Sequence, residues 1–267
     1  MTRLGASQIA ARKGASFPMV TAYDTPFARC AEAAGIDVLL CGDSLGQVVL
    51  GYTSTIPVEL NDMVRHGAAV VRGTEKAHVI VDLPFGTYAA SDDLAVTSAS
   101  DLIKRSGASS VKLEGGAAAA PRIRAIVEAG IPVCAHIGVL PQTAALGSGF
   151  KRKRERDQLL RDAEAIAEAG AFAVVLEMID ESIAEAITAA VPIPTIGIGA
   201  GPHCDGQVLV LHDVLGLYPE SPPFAKQYAH LAEAATSALR AYANEVREQV
   251  YPPAKLAAVR ETNGYRV

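Results

Sequence analysis

The chain has 267 residues, half of them hydrophobic and a fifth charged, with a net charge of −5. That length is close to the ~250 residues of one eight-fold β/α barrel, and the apolar content is ample for a large buried core. No basic stripe with interleaved aromatics is present, which argues against nucleic-acid binding, and no apolar run reaches the ~18 residues of a membrane span.

Tryptophan is absent and aliphatic residues abound, a composition suited to a parallel sheet buried on both faces. Cys30, Cys41, Cys134 and Cys204 lack CxxC spacing and read as buried free thiols in a reducing compartment. The N-terminus has no run apolar enough for a signal peptide, so a cytoplasmic location is expected.

In chain order, short β-branched runs alternate with longer amphipathic or alanine-rich stretches. Phe17–Ala22 is the first expected strand, and Thr25-Pro26 supplies a cap and a first helical residue for a helix stopping at Gly35. Strand Asp37–Cys41 precedes a helix over Pro57–Arg72 that ends at Gly73, and strand His78–Asp82 precedes Asp92–Ser106, ending at Gly107. Strand Ser110–Leu113 is followed by helix Arg122–Ala129, strand Val133–Ile137 by helix Asp157–Ala169, and strand Phe172–Leu176 by helix Glu181–Ala190. Pro194–Ile198 and Val208–His212 complete the strands, and Phe224–Gln249 is the closing helix. Recurrent glycines at the helix ends suit left-handed caps on short connections. The pattern predicts an α/β fold, a (β/α)8 TIM barrel, as one domain over 1–267 with a short N-terminal helix and a tail from about residue 251.

The chemistry lies at the strand ends. Asp43 follows the second strand, Asp82 ends the third, Lys112 and Glu114 close the fourth, His136 the fifth and Glu177 the sixth. In this fold the C-terminal strand ends share one face, where active sites are built. Asp43, Asp82 and Glu114 are oxygen donors with no thiolate in the set, which points to a hard cation such as Mg²⁺. Asp43 could instead cap the next helix. Lys112 and Glu114 are two apart and share a strand face; the lysine either holds a substrate carboxylate or neutralises the acids. Glu177, set among apolar residues, has the surroundings of a general base, and alone it could equally cap a helix. His136 reads as a hydrogen-bonded structural residue behind the site, Asp24 as structural, and Asp92-Asp93 as helix-start charge. Gly197–Gly201 either lets the backbone approach a ligand, such as a phosphate, or makes a turn.

An ordered set of motifs resembles the ketopantoate hydroxymethyltransferase family, that is, 3-methyl-2-oxobutanoate hydroxymethyltransferase. They are Thr21-Ala22-Tyr23-Asp24, Gly42-Asp43-Ser44-Leu45-Gly46, Asp82-Leu83-Pro84-Phe85, Val111-Lys112-Leu113-Glu114-Gly115-Gly116, His136-Ile137-Gly138 and Gly197-Ile198-Gly199-Ala200-Gly201. The resemblance runs from about Ser7 to Pro252. It implies a TIM barrel, Mg²⁺, and 5,10-methylenetetrahydrofolate as co-substrate. The implied reaction moves a one-carbon unit onto 3-methyl-2-oxobutanoate through a magnesium-stabilised enolate, giving 2-dehydropantoate for pantothenate synthesis. By match, Asp43, Asp82 and Glu114 resemble the metal positions, Asp43, Ser44, Asp82 and Lys112 the oxo-acid positions, and Glu177 the proton acceptor. Homo-oligomers, commonly decamers, are implied as well.

The chain departs from the family pattern at Leu140, at Pro222-Pro223-Phe224 and over Lys151–Arg156, which reads KRKRER. That basic loop is expected either to be a solvated segment or to attract the acidic tail of the folate. Two rival readings compete. A barrel lyase or mutase of the isocitrate lyase and phosphoenolpyruvate mutase kind is opposed by the lack of a Lys-Lys-Cys-Gly-His-type loop. A non-catalytic binder would have no need of a base such as Glu177.

Overall fold

All eight apolar runs form strands, and they pair in sequence order, all parallel, into a closed barrel in which the last strand returns to the first. A computed structural model of the chain describes residues 3–253, apart from 145, 147, 148 and 219. The strands are β1 (Phe17–Thr21), β2 (Val38–Cys41), β3 (His78–Asp82), β4 (Ser110–Glu114), β5 (Val133–Gly138), β6 (Ala173–Glu177), β7 (Thr195–Ile198) and β8 (Gly206–Leu209). The helices up to the last strand are α1 (Ala6–Ala10), α2 (Thr25–Ala33), α3 (Leu45–Val48), α4 (Leu60–Gly73), α5 (Asp92–Ser106), α6 (Ala120–Glu128), α7 (Pro141–Thr143), α8 (Arg156–Glu168) and α9 (Glu181–Ala190).

Side chains of a strand alternate between faces, so every second residue of a barrel strand points inward. Phe17, Met19, Val38, Leu40, Ile80, Cys134, Ala173, Val175, Ile196 and Val208 form one buried cluster, and Ile9 of α1 packs into it. The same period carries the chain from apolar residues to ionisable ones at the C-terminal ends. Ile80 is followed two residues on by Asp82, Cys134 by His136, and Val175 by Glu177.

Several local expectations are corrected. The cap of α2 is Asp24, whose carboxylate accepts from the Phe27 N–H at 2.8 Å, so Thr25 and Pro26 already lie inside the helix. α4 starts at Leu60 instead of Pro57, because Glu59 caps it and its N–H donates to the Asp62 carboxylate at 3.1 Å. Gly73 is not a left-handed cap. It is the last residue of α4, and a Cβ there would meet the Thr25 carbonyl at 2.8 Å, so glycine serves the close approach of α2. Gly107 does adopt the left-handed form, with φ 74°, and ends α5 as expected. β8 stops at Leu209, and Leu211–Leu215 turns into a helix, α10, where the strand was expected to reach His212. Cys30 is exposed, while Cys41, Cys134 and Cys204 are buried and free.

Residues Met1–Leu211 form one compact unit, which contains the whole barrel, and His212–Val267 a second. The second unit carries α11 (Leu231–Arg247), which is shorter at both ends than the expected Phe224–Gln249. Most of the expected tail from residue 251 lies outside the described residues. No helix of the described residues is long and apolar enough to cross a membrane.

Candidate active site

The strand-end acids converge, and Gln142 is the residue that joins them. Asp43, Asp82, Lys112 and Glu114 are at most 5% exposed and Gln142 is 1% exposed. Gln142, in α7 just beyond β5, donates from Nε2 to Asp43 Oδ2 at 2.8 Å and to the Leu83 carbonyl at 3.0 Å. Its backbone N–H donates to Glu114 Oε2 at 3.1 Å, and its Oε1 accepts from the Tyr88 hydroxyl at 2.7 Å. Tyr88 in turn accepts from the Glu114 N–H at 3.3 Å. The Lys112 ammonium lies 2.7 Å from Asp82 Oδ1, and the other oxygen of Asp82 accepts from the Asp43 N–H at 3.0 Å. This pairing of neighbours is set by register, since Asp82 on β3 faces Lys112 on β4 and Glu114 faces His136 on β5.

Burial raises the Asp43 carboxyl well above its ordinary range, and the charges of Asp82 and Glu114 raise it further. Burial alone would lower Lys112, but Asp82, Glu114 and Asp43 outweigh it and raise the ammonium above its ordinary value. Ser44 Oγ is 2.8 Å from the Tyr23 hydroxyl. Asp43 does not serve as a cap, because Ser44 occupies the cap position of α3 and no side-chain oxygen caps that helix.

His136 stands between Glu114 and Glu177. Its Nδ1 is 3.5 Å from Glu114 Oε1 and its Nε2 is 3.3 Å from Glu177 Oε2, neither with the angles of a hydrogen bond. Burial and the Lys112 charge push the imidazolium down, but the two carboxylates outweigh them and raise its pKa to about 9. Glu177 is the more open partner, with its side chain 17% exposed. Glu177 does not cap α9, a task done by Asp180 through the Ser182 N–H. Its backbone is fixed by Gly138, which has φ 104° and whose missing Cβ leaves room for the Glu177 carbonyl.

Asp24, placed as structural, caps α2. Asp92 and Asp93 lie in the first turn of α5, as expected of helix-start charge. Gly201 has φ 85°, and a Cβ there would meet Glu181 Cγ at 2.5 Å, so this glycine makes a turn and a close approach. Tyr88 and Gln142 carried no signal that marked them as site residues. Gln142 lies beside Pro141 in a connecting segment, where a neutral polar residue has no period to reveal it.

Among the described residues no three His, Cys, Asp or Glu side chains are grouped so as to hold a metal ion on their own. The donor set still fits magnesium, which takes one or two carboxylates and fills its other positions with water and substrate oxygens. Three buried carboxylates against one lysine leave an excess of negative charge that a cation would relieve.

A closed parallel barrel with buried carboxylates and a buried lysine gathered at its C-terminal rim defines the class of molecule, a TIM-barrel enzyme with its chemistry at the strand ends. The sequence profile of the ketopantoate hydroxymethyltransferase family matches residues 3–254, and the chain belongs to that family. A protein of Moorella thermoacetica named 3-methyl-2-oxobutanoate hydroxymethyltransferase is 53% identical over 245 residues, covering 90% of this chain and 91% of its own. One of the same name from Chloroflexus aurantiacus is 52% identical over 259 residues, covering 92% of each. Among solved structures, phosphonopyruvate hydrolase in complex with oxalate and Mg²⁺ superposes with a TM-score of 0.62 at 16% identity, over 95% of this chain and 91% of that one. 2,3-Dimethylmalate lyase superposes with a TM-score of 0.62 at 17% identity, over 94% and 90%. At that identity the likeness is one of fold.

Proposed function

We propose that the rim transfers a hydroxymethyl group from 5,10-methylenetetrahydrofolate to 3-methyl-2-oxobutanoate, giving 2-dehydropantoate and tetrahydrofolate with consumption of one water. The observation that carries the reading is the joint placement of a buried ammonium, buried acids and one more accessible carboxylate on a barrel whose family and relatives bear this activity in their names.

The residues that would hold magnesium are Asp43, Asp82 and Glu114. Bound there, the ion supplies Lewis-acid polarisation of the oxo acid's keto oxygen. Lys112 keeps its positive charge because three carboxylates surround it, and it can hold the substrate carboxylate while Asp82 shares that charge. Ser44 and Asp43 complete the oxo-acid contacts. Glu177, open to the rim, accepts the C3 proton of the substrate. The C3 carbon, left with its electron pair, forms the new bond to the methylene carbon; the bonds from that carbon to both folate nitrogens break, water supplies the hydroxyl that remains on it, and the two nitrogens take up the proton from C3 and the second proton of the water. His136 Nε2 lies 3.3 Å from Glu177 Oε2, beside the carboxylate that takes the proton.

The test needs no folate. Protein, Mg²⁺ and 3-methyl-2-oxobutanoate in heavy water are followed by proton NMR. Loss of the C3 proton signal at a rate above the protein-free control is expected; no exchange above that control contradicts the reading.

A further inference from the structure

Met178, the residue after Glu177, has φ 48°. A bulky side chain adopts that left-handed backbone only where the surroundings hold it there. The holding bonds are visible. The Val139 N–H donates to the Glu177 carbonyl at 2.9 Å, and the Met178 N–H donates to the Ile198 carbonyl at 2.8 Å. From the other side comes the basic loop after α7. The Lys153 N–H donates to the Met178 carbonyl at 2.8 Å, and the Asp180 N–H donates to the Lys153 carbonyl at 3.0 Å, a parallel bridge between Lys153 and Ile179.

Arg152 closes this arrangement. Its Nη1 donates to the Ile179 carbonyl at 2.7 Å and to the Gly199 carbonyl at 2.8 Å. One guanidinium therefore ties the turn after β6, which carries Glu177, to the turn after β7. Both carbonyls belong to segments just beyond the C-terminal ends of β6 and β7. The Arg152 side chain is exposed, yet it makes both of these hydrogen bonds to backbone carbonyls. Arg154 is exposed as well, and its side chain comes no nearer than 4.0 Å to the Asp180 carboxylate.

We infer that Arg152 is a positioning residue for the proton-transfer step, acting on Glu177 through the backbone of residues 178 and 179. The inference rests on the reading of Glu177 as the proton acceptor. A carboxylate displaced by a fraction of an ångström from its proton loses rate without losing the substrate, because the oxo acid is held by the neighbouring strands.

The test compares Arg152→Met, Arg152→Lys and Lys151→Gln in the heavy-water exchange assay, with Glu177→Gln alongside. Arg152→Met is expected to lower the exchange kcat about tenfold while KM for 3-methyl-2-oxobutanoate stays within about twofold of native. Arg152→Lys is expected to recover part of that loss, and Lys151→Gln to exchange at the native rate, which separates the tie from the loss of one positive charge. Should Arg152→Met fail to fold, Arg152→Gln takes its place with the same expected split. A native kcat in either neutral variant, a raised KM with kcat held, or an equal loss in Lys151→Gln overturns the inference. Retained exchange in Glu177→Gln overturns the reading of the base instead, so the two failures are told apart.

Discussion

Gln142 holds the acids of the site by four hydrogen bonds, to Asp43, Glu114, Leu83 and Tyr88. Replacing it by Leu keeps the volume but strands the Tyr88 hydroxyl and one oxygen of Asp43 in a buried setting, at a cost of ~1–3 kcal/mol for each unmet group. Gln142→Leu should therefore lower the melting temperature and raise KM for the oxo acid, both read directly in a thermal scan and a saturation curve; a native melt would show that the network bears little load. Glu177→Gln should behave in the opposite way, keeping the shape and oxo-acid affinity while turnover falls by orders of magnitude. Asp43, Asp82, Lys112, Glu114 and Glu177 were legible in the sequence because strand ends of a barrel share one rim. Gln142, Tyr88 and the service of Arg152 were not, because each acts from a segment connecting a strand to the next long helix, through contacts that no period announces.

The elements show the same division. β3 and β4 follow the expected bounds to within a residue, whereas β8 ends at Leu209 because α10 begins at Leu211. Caps decided the helix starts, at Asp24 and Glu59, in places where proline alone suggested an earlier or later boundary. At the opposite end of the barrel from the acids, His78 opens β3 fully buried. Its Nδ1 faces the Leu4 carbonyl at 3.0 Å and its Nε2 the Ser110 hydroxyl at 2.8 Å. Burial lowers its pKa to about 4. The unfolded chain, with an ordinary histidine near 6.5, takes up this proton before the folded chain does. The contribution is therefore present above pH ~6.5 and is lost as pH falls toward 4, in total by ~3 kcal/mol. His136 is shifted the other way, so its contribution is complete below 6.5 and lost as pH rises through about 9. Denaturant titrations between pH 6.5 and 5 should show native stability declining, with a flatter slope in His78→Asn. Equal slopes in the two proteins would refute the assignment.

At the scale of the whole molecule, the barrel unit carries every residue of the proposed site, and the second unit offers a different kind of surface. α11 buries none of its residues, and Leu239, Tyr242 and Val246 recur on one face of it with 67%, 54% and 44% exposure. Such a stripe supports the proposal that the chain is a homo-oligomer, a decamer by family resemblance. Light scattering at micromolar concentration should give a mass several times 27.8 kDa, lowered when Leu239 and Val246 are both changed to Lys. The mass of a single chain would refute it. The central claim is tested most directly by the complete reaction. Purified protein with Mg²⁺, 3-methyl-2-oxobutanoate and methylene-labelled 5,10-methylenetetrahydrofolate should place the label in 2-dehydropantoate, with one tetrahydrofolate released per product and the rate abolished by a chelator. Exchange of the C3 proton with no label reaching the oxo acid, or cleavage of an oxo acid in place of bond formation, would contradict it.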